Sequence, residues 1–147
     1  MSALWNWCVA GRVDAARIRS AIAGVLGRPV SDLDGPAEAG DKGDDALLCD
    51  VWYVGGDFPT LVDVFLAPAD RPEPAVASDV AVRLGAAVLL PDETLNPTRY
   101  VLAEPDGTSR SVHVDETETD DGTERRHLRP CTGSDPACAL APERNAA

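Results

Sequence analysis

The side chains able to do chemistry are few. Two histidines, His113 and His127, and four cysteines, Cys8, Cys49, Cys131 and Cys138, stand among 25 acidic residues. His127, Cys131 and Cys138 come nearest to a metal-binding pattern. They lack a fourth ligand and a C-x2-C pair, so zinc is not expected. Asp41, Asp44 and Asp45 lack the alternate-residue spacing and the closing Glu of a calcium loop. Ser111 and His113 share a strand face, with Arg99 expected across the ladder. No Asp is placed to orient the imidazole, so a Ser–His–acid triad has no support and His113 reads as an exposed strand residue. His127 sits in Arg125-Arg126-His127-Leu128-Arg129, a cluster that neutralises the acids around it. Phosphate-loop, dinucleotide, zinc-protease and nucleophile-elbow motifs are absent from the sequence. The expectation is a protein without catalytic residues, metal or other cofactor.

Other candidates emerge once the elements that carry them are placed. Residues 3–10 read as a strand that closes at Gly11. Residues 13–26 carry Ile18, Ala21, Ile22, Val25 and Leu26 at helical spacing, and Gly27 with Pro29 ends that helix. Residues 35–45 are a loop rich in Gly, Pro and acids. A hairpin is expected over 46–54 and 58–66 around Gly55-Gly56. A second helix spans 75–84, and residues 86–90 form a strand apolar on both faces. A further hairpin, 98–104 with 109–114, turns at Pro105-Asp106-Gly107. Residues 1–114 are then one α+β domain, and 115–147 a polar acidic tail, disordered or wrapped on it. The first six elements match a ferredoxin-like split βαβ layout, an antiparallel sheet with two helices on one face.

Side chains alternate across a strand, which sorts the first hairpin into two surfaces. Leu47, Cys49, Val51 and Tyr53, with Phe58, Thr60, Val62, Val64 and Leu66, are apolar enough to lie under the helices. Asp50 and Trp52, with Asp63 and Phe65, should face away from them. A tight turn would set Asp50 opposite Leu61, whereas a loop two residues longer sets it opposite Asp63. Either way the face mixes aromatic anchors with carboxylates, the anatomy of a binding hot spot. Trp5 and Trp7 share one face of the first strand and read as core.

Charge then narrows the occupant. The 147 residues carry 25 acids against 13 Lys and Arg, a net charge of −12, and a pI near 4.4. That balance opposes a nucleic-acid backbone or an anionic membrane and suits a basic protein partner. The first eight residues lack the basic start of a signal peptide, so a cytoplasmic address is expected. In size, charge and layout the chain resembles the immunity proteins that neutralise bacterial toxins and the small inhibitors of nucleases, although no motif carries that resemblance. The expected role is a non-catalytic acidic binding module that uses Asp50, Trp52, Asp63 and Phe65. The alternatives are a small-molecule-binding domain or small enzyme with a pocket near residues 28–46, and a homodimer joined through the sheet face.

Overall fold

A computed structural model describes residues 2–32, 47–91 and 99–132. The chain runs β1 (Ser2–Val9), α1 (Ala15–Leu26), β2 (Val30–Asp32), β3 (Leu47–Tyr53), β4 (Thr60–Pro68), α2 (Glu73–Leu84), β5 (Val88–Pro91), β6 (Arg99–Ala103), β7 (Ser109–Thr119) and β8 (Gly122–Pro130). Eight strands form one sheet in the order β2-β3-β4-β1-β5-β6-β7-β8. Every pairing is antiparallel except β2 with β3. The architecture is α+β.

The helices form and stop where the apolar stripe and its glycines dictate. Ile18, Ala21, Ile22 and Leu26 are the buried stripe of α1, and Gly27 closes it at φ 67° with its N–H on Ala23 O at 2.8 Å. Pro72 caps α2 and a proline lies in its first turn. Its stripe is Val76, Ala77, Val80, Ala81 and Leu84, and Gly85 ends it at φ 67°. These residues share one apolar cluster with Trp5, Trp7 and Val9 of β1, Leu47 and Cys49 of β3, and Val62 and Val64 of β4. The alternation read from the sequence thus holds along these strands. It fails at Phe58, which precedes β4 and joins the cluster on the opposite side, and it breaks at Leu66, where β4 carries one more residue than β1. Leu66 takes φ 62° and is expelled to 52% exposure, while Ala67 turns into the core.

The opposite side of the sheet has its own cluster, made by Cys8, Leu61, Leu89, Tyr100, Leu102, Val112 and Val114 with Val54 and Phe58. Leu89 enters this cluster while Val88 and Leu90 enter the first, so β5 is buried on both faces as its unbroken apolar run implies. Part of the face expected to stay open is therefore covered, by the second hairpin through Tyr100, Leu102, Val112 and Val114 and by residues expected to be tail, Leu128 among them. The strand expected to end at Val114 runs on to Thr119 and returns through β8 to Pro130. Opposite charges face each other across this ladder, Asp115 with Arg126 and Glu116 with Arg125. Cross-strand attraction stands in for the apolar alternation that marks other strands. The loop 35–45 and residues 133–147, Cys138 among them, lie outside the described residues. No helix among the described residues is long and apolar enough to cross a membrane.

Candidate functional site

The longer loop decides the register of the first hairpin. Asp50 stands directly opposite Asp63, Trp52 opposite Leu61, and Phe65 opposite Leu48. The tight-turn register, Asp50 against Leu61, is not adopted, because Val54 donates its N–H to Pro59 O and holds residues 55–58 as a wider loop. Asp50, Trp52, Asp63 and Phe65 therefore form one contiguous patch on β3 and β4. Trp52 is 36% exposed, and the other three are half-buried. Carboxylates in directly opposed positions repel. Asp63 accepts a hydrogen bond from Asn6 Nδ2 at 2.5 Å. Among the described residues, neither Asp50 nor Asp63 has an ion-pair partner.

Beside this patch the sheet curls onto itself. Between the pairs His113–Arg129 and Asp115–Arg126, β8 carries one residue more than β7, and His127 there takes φ 62°. Such a bulge bends its strand and sharpens the twist. The near end of β8 becomes a strap that reaches the β3–β4 loop. Gly56 bridges Arg125 in parallel fashion, Asp57 donates its N–H to Arg125 O at 2.7 Å, and His127 donates its N–H to Asp57 Oδ2 at 3.3 Å. Gly122 lies so close that a Cβ there would be 3.0 Å from Val54 Cγ1. His127 Nδ1 and Arg129 both hold Asp115, at 2.9 and 3.0 Å. These contacts, His127 first, keep the Asp115 carboxyl below its ordinary range. Because a β-branched residue resists positive φ, His127→Val should cost about 1–2 kcal/mol, and His127→Gly less, in urea unfolding.

Between strap and sheet lies a cleft of about 370 Å³, with Asn6, Cys8, Trp52, Asp63, Tyr100 and Arg125 on its wall. Its two charged side chains differ sharply. Arg125 is pinned: its Nε donates to Glu116 Oε2 at 3.2 Å and to Tyr100 Oη at 3.2 Å, and Nη1 donates to Thr123 O at 3.3 Å. Its guanidinium carbon stands 5.6 Å from the centre of the Tyr100 ring, and the Tyr100 hydroxyl donates to Glu116. Burial, then the bond to Glu116, pushes the Tyr100 hydroxyl up to about 12. Asp63 has no such counter-charge.

Cys8 lies at the base of the cleft. Burial pushes its thiol up to about 11; the Arg125 charge pulls the other way, and Glu116 and Asp63 add to the rise. At neutral pH it is a thiol, not a thiolate, and is a poor nucleophile. A thiol with a raised value in the folded state stabilises fully below its ordinary value and less as pH climbs. Cys8 should lower stability by up to about 1.4 kcal/mol per pH unit between pH 9 and 11, and Tyr100 adds a fall of its own above pH 10, so Cys8→Ala should flatten the slope chiefly between pH 9 and 10 in urea titrations.

The other chemistry-bearing residues lie elsewhere. His113 is fully buried, contrary to the exposed strand residue expected; its strand is flanked by β6 and by the unforeseen β8, with Arg99 and Arg129 as its ladder partners. The described residues include no group of three or more His, Cys, Asp or Glu placed to hold a metal. Alternation in β1 puts Asn6 and Cys8 on the face opposite Trp5 and Trp7, so their presence here was available from the sequence. Tyr100, Glu116 and Arg125 were not, since the strap that assembles them depends on a bulge at a histidine. Comparison with protein-family models, with curated proteins and with solved structures finds no match to this chain.

Proposed function

We propose that this protein is a non-catalytic acidic module that binds a basic protein partner in the cytoplasm, a role of the immunity or inhibitor type. The observation that carries the reading is the Asp50–Asp63 pair: two facing carboxylates without an ion-pair partner among the described residues, beside the partly exposed Trp52, on a chain of net charge −12. A cationic partner relieves their repulsion on binding and is steered in by the long-range field. The strap covers the Leu61 end of the face and leaves this patch accessible. The fold reading that goes with it is a ferredoxin-like split βαβ core extended at both edges. The strand order β3-β4-β1-β5 and the single cluster shared by both helices support it.

Asp50→Lys with Asp63→Lys should weaken the complex with the native partner at least about tenfold while the unfolding midpoint barely moves. Affinity purification from the native cell supplies the partner, and calorimetry measures the loss. Unchanged affinity would remove this patch from the interface.

The cleft favours a second reading, a small-molecule-binding domain, since about 370 Å³ is within the range of ligand pockets. This cleft is under the β8 strap; the pocket expected near residues 28–46 falls largely on residues 33–46, which lie outside the described residues. A metabolite co-purifying with the protein would favour it. Association of two copies through the same face would appear as a mass that rises with concentration in light scattering.

A further inference from the structure

The cleft under the strap has a chemistry more specific than general acidity. Its wall combines one aromatic plane that reaches solvent, Trp52, a second that is buried, Tyr100, and two charges, Asp63 and Arg125. The Arg125 charge is met inside the fold by Glu116 at 3.2 Å. Among the described residues, the Asp63 charge is met by the Asn6 amide, a neutral donor, and by no counter-ion. The wall therefore has one negative charge without a counter-ion among the described residues, next to an indole face. A carboxylate beside an aromatic ring suits an organic cation: the charge meets the carboxylate and the apolar stem lies along the ring. An anion would have to approach Asp63, and the Arg125 charge it would seek is already met by Glu116 at Nε.

We propose that this cleft receives a single lysine or arginine side chain projected by the basic partner. The proposal rests on the binding-module reading above and gives it an anchor point. The terminal ammonium or guanidinium sits on Asp63 and the stem passes along Trp52. Arg125, Glu116 and Tyr100 form the rigid inner wall. A cleft of about 370 Å³ between strap and sheet receives a projecting cation in preference to a flat basic surface.

The test uses the full chain and model compounds, so it needs no partner. The protein is ¹⁵N-labelled and titrated with N-acetyl-arginine methylamide, N-acetyl-lysine methylamide and, as the uncharged control, N-acetyl-norleucine methylamide. The expected result is saturable millimolar binding of at least one cationic compound, read at the Trp52 indole N–H and the Asp63 and Thr123 amides, with the Trp5 indole, outside the cleft lining, unmoved. Asp63→Asn and Trp52→Ala should each raise Kd about threefold to tenfold. If Asp63→Asn does not fold, Trp52→Ala, at a partly exposed position, carries the comparison.

The proposal is overturned if no saturable shift appears, if norleucine binds as well as the cations, or if the variants bind as tightly as the parent. Slot and module can fail separately. Binding of the cations without any basic protein partner leaves the slot standing and removes the module. A basic partner whose affinity ignores both variants does the reverse.

Discussion

Gly56→Ala should lower the unfolding free energy by about 2–5 kcal/mol and lift the β8 strap from the β3–β4 loop. Gly56 takes φ 92°, where L side chains are strained by about 1–2 kcal/mol. A Cβ there would lie 2.8 Å from Arg125 O and 2.9 Å from Arg125 N. Both are backbone atoms of the strap, so neither can turn aside as a flexible side chain would, and overpacking adds about 1–3 kcal/mol. The simplest relief is to break the Asp57–Arg125 hydrogen bond, which carries Arg125 away from the cleft. Urea unfolding measures the energy. Hydrogen exchange locates it: the Asp57 and His127 amides should exchange much faster while those of α1 and α2 stay protected. Uniform loss of protection would mean that the strap is integral to the whole fold, not a cover laid on it.

The second large effect concerns the other face. Trp7→Ala should cost about 3–5 kcal/mol, a large share of the about 5–15 kcal/mol that holds a typical domain together. Trp7 is 2% exposed. Its ring stacks on Trp5 with centroids 5.6 Å apart and planes 15° from parallel, and its indole N–H donates to Glu73 Oε2 at 2.9 Å. Truncation opens a void between β1 and the helices and removes the donor that ties the start of α2 to the sheet. Trp7→Phe keeps most of the volume and loses the hydrogen bond, so about 1–2 kcal/mol is expected. Guanidinium unfolding of the three proteins separates packing from hydrogen bonding. Equal losses in both variants would place the whole effect in the Glu73 bond.

Much of the fold was legible. Both helices lie within about two residues of the spans read from the 3.6-residue stripe, because their ends are set by Gly27 and Gly85, whose left-handed φ is a local property. The two faces of β3 and β4 followed from alternation. The register did not, since it turns on whether the loop at Gly55-Gly56 has two residues or more, a difference of one hydrogen bond from Val54. The strap went unread because its ladder is held by charge pairs and its apolar content is low. One signal was present: Asp120-Asp121-Gly122 between threonine-rich flanks has the composition of a hairpin turn.

Periodicity, turn residues and net charge belong to the chain as written, and they determined two helices, the principal strands, the buried tryptophans and the acidic character. Which charges meet is another matter. The opposition of Asp50 to Asp63 follows from the wider loop at 55–58, and the pinning of Arg125 by Glu116 and Tyr100 and the cover over Cys8 follow from the bulge at His127 that brings β8 back over the sheet, as the bulge at Leu66 redirects the end of β4. Leu66 is a type that rarely takes positive φ, and His127, though of a type more often found there, does so only in a minority of cases. Long-range packing holds them there, so the cleft exists only once the sheet has closed around it.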